Sequence, residues 1–489
     1  MVNDKMVNGS MKSLAKDTAI YGLSSIIGKF LNYLLVPLYT YVLARTEDYG
    51  IVTNLYAWTA LLLALLTYGM ETGFFRFANR EDYDSPTVYK TAYLTLLTSN
   101  TIFALLVVLL QRPISIGLGY PDHSEFVAMM FVTVAVDAFA CIPFAYLRYQ
   151  KRPLMFAALK LLFVLLNIGF NLLFLVVLGK NEVFYVFLSN ILATSIQTLC
   201  LLPFTMPKGG HFSSSVLKEM LRYSLPLLIL SVAGIMNQTL DRILFPYLYT
   251  GTDAQAQLGI YGACFKVAMV MMMFTQAFRY AYEPFVFAKH KDRHSVEAYA
   301  DAMKYYIIFS YLILLGVIIY LDIFRYIIAA SYWEGLKIVP IVLWTYVFQG
   351  VYFNLSFWYK LTDETKWGAY FSLIGLAITL ILQVIGVPLI GYWASCGSSL
   401  ICYSVIMLMS YFIGQKKAPI PYDLRSIGQY TLLTLVLLGA YYAVRLNTTL
   451  NTWLLMAIGT LLIGIYLFVL TRKDFPLTQI VNRKINRTS

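Results

Sequence analysis

Thr46-Glu47-Asp48-Tyr49-Gly50 is a short acidic hairpin between two apolar runs, roughly 17–43 and 50–75. Each run exceeds the ~20 residues a helix needs to cross a bilayer. Lys29 falls in the middle of the first run. The second ends in Gly69-Met70-Glu71-Thr72-Gly73-Phe74-Phe75-Arg76-Phe77, which carries Glu71 and Arg76. A charge at bilayer depth costs about 2.5–3.5 kcal/mol on insertion scales, so such residues face protein or water rather than lipid. The unit also recurs. A shift of 209 positions brings Pro37, Gly50 and Ile51 onto Pro246, Gly259 and Ile260, and a slip of three more brings Tyr68 and Glu71 onto Tyr280 and Glu283. Two halves on one plan are expected, each presenting charge inside the membrane.

Composition points the same way. The 489 residues are 59% hydrophobic and 13% charged, against about 25% charged in soluble domains, and the mean hydropathy is +0.68. The first apolar run is too long for a cleaved signal peptide and lacks a small-residue cleavage site, so no such peptide is expected. The net charge of +12 reads as basic cytoplasmic loops rather than nucleic-acid binding. Cys141, Cys200, Cys264, Cys396 and Cys402 all lie in apolar runs without metal-ligand spacing, and His123, His211, His290 and His294 fall in expected loops. They predict no metal site and no cofactor.

Fourteen spans are expected, at about 17–43, 50–75, 89–110, 125–147, 154–178, 182–203, 219–247, 257–285, 303–328, 335–359, 367–390, 391–413, 426–445 and 451–471. With the N-terminus inside, all but ten of the 37 Lys and Arg fall on the inner side. Arg45, Arg112, Lys180, Arg325, Lys337 and Arg445 lie outside; Lys29, Lys160, Arg242 and Lys266 lie within spans. This bias requires an even number of spans and places both termini in the cytoplasm. The plan is six plus six plus two: a lobe over 1–203, a linker over 204–218, a second lobe over 219–414, and two appended helices with a basic tail over 415–489. Pro37, Pro143, Pro226, Pro246, Pro284 and Pro340 fall inside spans, where each removes a backbone hydrogen bond and favours a kink.

The embedded charges concentrate on the paired spans 1, 2, 7 and 8. Span 7 spaces Ser231, Gly234, Gln238 and Asp241 along one stripe, with Asn237 and Arg242 beside it; span 8 aligns Lys266, Met269, Met273, Gln276, Tyr280 and Glu283. Span 1 offers Lys29 and Asn32. The expected substrate-binding set is Lys29, Arg242, Lys266, Asp241, Gln238 and Asn32, around a polar cavity where the halves meet. Its cations would attract an anionic headgroup, because a low-dielectric cavity strengthens their field. The blander readings are a permanent Asp241–Arg242 ion pair and a Lys29 that snorkels to the interface. Glu71, Arg76, Arg279 and Glu283 form an expected gate or coupling group, with Glu71 pairing Arg279 and Glu283 pairing Arg76 across the halves; Arg76 and Arg279 also suit simple boundary anchors. Asp137 reads as a partner for Lys160 or a protonation site, and Arg148-Tyr149-Gln150-Lys151-Arg152 as an anionic-lipid contact.

With these motifs in place, the chain resembles the polysaccharide-transporter branch of the multidrug/oligosaccharidyl-lipid/polysaccharide (MOP) exporter superfamily, which holds the O-antigen and capsule oligosaccharide flippases. The resemblance rests on Glu47-Asp48-Tyr49-Gly50, Gly69-Met70-Glu71-Thr72 through Phe75-Arg76-Phe77, Leu147-Arg148-Tyr149-Gln150, and Tyr223-Ser224-Leu225-Pro226 leading to Asp241-Arg242. It implies an all-α fold of two six-helix lobes in a V, often with two further helices, in a bacterial cytoplasmic membrane. It implies a non-enzymatic flippase for undecaprenyl-pyrophosphate-linked oligosaccharide, with the bilayer and the polysaccharide assembly machinery as partners. Proton or sodium coupling through Glu71, Asp241 or Glu283 stays open. The rivals are a multidrug exporter of the same superfamily, which for cationic drugs needs an acidic cavity, and a membrane glycan polymerase or acyltransferase, which needs carboxylates or His on a large loop.

Overall fold

The computed structural model describes residues 27–474 other than 29, 32, 290–294 and 363. Among the described residues the chain is helical, with no strand. The long helices follow the expected spans: α1, Leu35–Val42, before which residues 1–26, 29 and 32 lie outside the described residues; α2, Thr46–Ala78; α3, Ser85–Leu109; α4, Ser124–Tyr149; α5, Pro153–Val177; α6, Val183–Thr205; α7, Ser214–Leu248; α8, in two pieces, Ala254–Val267 and Met269–Lys289; α9, Ser295–Ile319; α10, Ala330–Leu361; α11, Lys366–Ile390; α12, Tyr392–Lys417; α13, Leu424–Asn447; and α14, Thr452–Lys473. Twelve are long and apolar enough to cross a membrane, and the bent pair of α8 makes a thirteenth. Leu109, Leu389 and Leu446 stay 76%, 76% and 80% exposed on the outer surface, where lipid rather than water covers such side chains.

Local chemistry sets the helix ends. The acidic hairpin is not a loop: α2 already begins at Thr46, and Glu47 and Asp48 occupy its first turn. Carboxylates there meet unpaired N–H groups and the positive end of the helix dipole, and the Arg45 backbone N–H donates to Asp48 at 3.0 Å. Asp84, Ser213 and Asp423 cap α3, α7 and α13 from the position before the first turn, each side chain accepting a hydrogen bond from a first-turn N–H: Thr87, Val216 and Ser426. The start of α7 at Ser214 also takes up the end of the expected linker. The longest loop away from the basic ends, about 111–124, contains a short helix, Gln111–Gly117.

Two breaks shape the interior. In α2, Tyr68 and Gly69 both turn left-handed, with φ of 51° and 64°, so the Glu71–Arg76 segment forms its own short helix, Met70–Ala78. A side chain at Gly69 would be strained at that φ and would press on the Ser224 carbonyl of α7. In α8 the two pieces meet at 47° after Val267. The expected continuous face from Lys266 to Glu283 is therefore corrected: Lys266 closes the first piece, and the remaining residues run on a differently directed helix.

Helices α2 to α6 pack into one group and α7 with α10 to α12 into another, while α13 and α14 lean on α9. The groups meet chiefly where α2 crosses α7 and the first piece of α8. The repeat is visible at this crossing. A Cβ on Gly50 would overlap the carbonyl oxygen of Gln255, and a Cβ on Gly259 would overlap that of Thr46. Thr46 and Gln255 are themselves related by the 209-residue shift. The two glycines thus make equivalent contacts, and their missing side chains let the backbones touch.

Candidate functional site

A cavity of about 460 Å³ lies where the two helix groups meet. Helices α1, α2, α4, α5 and α6 supply most of its wall; α7 contributes Thr239 and Arg242, and α8 contributes Lys266. Both described cations expected to bind substrate therefore face one space. Lys29 and Asn32 lie outside the described residues.

Arg242 is held from behind. Its Nε donates to Asp241 Oδ1 at 3.3 Å, a second nitrogen donates to the Gln238 carbonyl, and its guanidinium stacks 4.9 Å from the Phe265 ring centroid. Asp241 is buried and also accepts from the Tyr261 hydroxyl. A buried carboxylate needs such partners, since an unpaired one is costly. The expected span-7 stripe therefore splits. Arg242 lines the cavity; Asp241 and Gln238 do not, and instead fix its guanidinium. Asn237 is buried and donates to the Ser372 carbonyl of α11 at 2.9 Å. Lys266 sits in the last turn before the α8 bend, where a helix C-terminus favours a cation by about 0.3–1 kcal/mol. Among the described residues it has no ion-pair partner within 4 Å.

The expected cross-lobe gate pairs are not formed. Glu71 pairs with Arg148 of α4, in its own group, and also accepts from Cys141 Sγ at 3.2 Å. Glu283 pairs with Arg279 one turn away at 3.5 Å and with Lys360 of α10 at 3.9 Å, both on the second-half side of the α2 crossing. The break at Tyr68–Gly69 re-aims Glu71 toward α4, a turn the apolar pattern does not announce. Arg76 does reach across, but to an aromatic face: it lies 4.1 Å from the Tyr223 ring centroid on α7. Arg279 lies 4.7 Å from the Phe353 centroid. Asp137 and Lys160 form no ion pair within 4 Å; Lys160 sits 3.8 Å from the Phe144 centroid, while Asp137 lines the cavity.

Other tying residues were not singled out from the sequence. At the end of the cavity away from the basic loops, Asn54 donates to the Arg242 carbonyl at 2.7 Å, Tyr120 donates to Asn54 at 2.9 Å, and Gln255 donates to Tyr120 at 3.1 Å. This chain stitches α2 and the Tyr120 loop to α7 and α8. At the basic end, Tyr83 donates to Glu219 across the groups, and Gly73 packs against Ser224. The one available signal was a polar residue, Asn54, within an apolar run.

A family profile described as polysaccharide biosynthesis protein matches residues 14–282, a stretch that holds Arg242, Lys266 and the rest of the cavity wall. No curated protein sequence matches the chain significantly. Solved structures share the fold at low identity. The lipid II flippase MurJ in an inward closed conformation is 16% identical, with TM-score 0.72 over 92% of this chain and 99% of that one. An inward-facing multidrug resistance MATE family transporter of the MOP superfamily is 12% identical, with TM-score 0.64 over 85% and 95%. A MOP superfamily transporter from Pyrococcus furiosus, described as having a binding pocket of reverse polarity, is 14% identical, with TM-score 0.55 over 82% and 95%.

Proposed function

Because this chain belongs to the polysaccharide biosynthesis protein family and has the fold of MOP superfamily transporters, we propose that it flips undecaprenyl-pyrophosphate-linked oligosaccharide between membrane leaflets. The cargo class is an O-antigen, capsule or exopolysaccharide unit. The observation that carries this reading is the placement of Arg242 and Lys266 on one cavity between the two helix groups. A pyrophosphate and its sugars cannot enter hydrocarbon unaided, because their polar groups would lose water without gaining partners. A cavity open to one side at a time removes that barrier, and the prenyl chain stays in lipid. Two cations in a low-dielectric hollow suit a diphosphate and oppose the cationic drugs of the rival exporter.

In this reading the basic loops face the cytoplasm of a bacterial inner membrane, and polysaccharide assembly machinery supplies and removes the cargo. The paired carboxylates Glu71 and Glu283 exchange partners as the basic end opens and closes. Proton or sodium coupling enters through them or through Asp241. The chemistry is translocation, with no bond made or broken.

The test is reconstitution. Vesicles carrying the full chain and a fluorescent polyprenyl-diphosphate oligosaccharide are treated with a membrane-impermeant quencher. Label initially on the inner leaflet becomes quenchable at a rate well above that of protein-free vesicles. Equal rates, together with efflux of a cationic dye, overturn the proposal in favour of drug export.

A further inference from the structure

The cavity has two chemically distinct walls. Its cations come from α7 and α8. The facing wall, from α2, α4, α5 and α6, presents Tyr56, Asp137, Asn167 and Asn190. Their hydrogen-bonding capacity is only partly used. Asn190 donates its amide to the Tyr56 hydroxyl at 2.7 Å, which leaves the phenolic proton and the Asn190 carbonyl free to serve the cavity. Asn167 accepts from Asn171 at 3.2 Å, which leaves its own amide protons. Among the described residues Asp137 has no ion pair within 4 Å; Thr194 lies beside it and Lys160 acts on it only through space. A carboxylate at membrane depth requires hydrogen-bond donors.

We propose that this wall reads the sugar attached to the diphosphate, with Asp137 and Tyr56 as its specificity-determining residues. The inference rests on the flippase reading above and assigns a second subsite within the same cavity. A sugar ring carries hydroxyls that both donate and accept. Asp137 offers two acceptor oxygens spaced for adjacent hydroxyls, Tyr56 a donor, Asn190 an acceptor and Asn167 a donor. With the diphosphate at Arg242 and Lys266, the first sugar meets this wall. At about 460 Å³ the cavity is in the range of small-molecule sites, so it holds the charged head and its nearest sugar while the rest of the glycan lies outside.

The experiment measures binding to the detergent-solubilised full chain. The probes are bare polyprenyl diphosphate and the same lipid carrying one glucose, galactose or N-acetylglucosamine. The parent binds at least one sugar-bearing probe more tightly than the bare lipid. Asp137→Asn and Tyr56→Phe each weaken that probe about tenfold or more, the cost of leaving polar groups unmatched, and change the bare lipid less than twofold. Arg242→Gln weakens both probes. If no sugar raises affinity over the bare lipid, or if Asp137→Asn and Tyr56→Phe weaken both probes equally, the sugar-reading wall is refuted while the flippase reading stands. If the parent binds none of the four probes, the flippase reading itself falls. Tyr56→Phe removes a single oxygen, so it keeps the test decisive where Asp137→Asn fails to fold.

Discussion

Arg242 and Lys266 have different supports, and the difference predicts different losses. Arg242 is clamped by Asp241, the Gln238 carbonyl and Phe265; among the described residues Lys266 has only its helix end. Hydrogen bonds to charged groups are worth about 1.5–3 kcal/mol. Arg242→Ala and Lys266→Ala should each slow transport of a diphosphate-linked lipid by tenfold or more in the vesicle assay. Asp241→Asn should act through stability as well, because it leaves Arg242 with one partner fewer in a largely buried setting. A buried pair broken on one side costs about 3–5 kcal/mol, so the thermal midpoint should fall clearly, and by less in Tyr261→Phe. At the basic end, Glu71 answers to Arg148. A Glu71→Arg and Arg148→Glu exchange should recover part of the single-variant stability losses. The side chains are 40% and 31% exposed, so a coupling near 1 kcal/mol is expected. If the recovery appears with Arg279→Glu instead, the in-lobe pairing is wrong.

Among the elements, α2 and α8 carry the most consequence. Their crossing depends on Gly50 and Gly259, whose Cβ positions are filled by the partner helix's backbone. Gly259→Val must push the helices apart. It should lower stability and expose the crossing. The thermal midpoint of Gly259→Val should fall well below that of the parent, and an unchanged midpoint would show that this contact does not hold the crossing together. The α11–α12 pair has a pH-sensitive tie outside the membrane. Lys417 donates to Glu364 at 2.8 Å, and Trp367 donates to it at 2.8 Å. The Lys417 ammonium, then the Trp367 N–H, hold the Glu364 carboxyl below its usual range. A depressed carboxyl stabilises the fold above its unfolded value, near pH 4.3, and this contribution is lost as the pH falls through the depressed folded value. Glu364→Gln should therefore flatten the stability–pH profile below about pH 4.3.

For the whole molecule, the described helices from α2 to α14 make thirteen passes when α8 counts as one bent span. A span through α1 makes the number even, so the two termini should report the same side. Reporter fusions after Thr205 and after the last residue should both read as cytoplasmic; an opposite sign at either site would break the two-lobe plan. Much of this level was legible in the chain. The 209-residue repeat of Gly50 in Gly259 pointed to two related halves, and those glycines meet at their junction. The segregation of embedded charge to spans 1, 2, 7 and 8 pointed to a cavity there, and Arg242 and Lys266 line it. The partners were not legible. Glu71 turns to Arg148 because two residues at Tyr68–Gly69 go left-handed, and Asp241 turns away from the cavity because Arg242, its neighbour, takes that side.

The amino-acid order alone determined that the chain crosses lipid many times, which loops are basic, and which polar residues sit in the long apolar helices. Those properties follow from transfer free energies that each segment carries locally. Tertiary packing decided which of those polar residues meet one another and which meet the cavity. Ion pairing and hydrogen bonding depend on separations of a few ångströms between helices far apart in the chain. A bend of 47° in α8 or two left-handed residues in α2 is enough to reassign them.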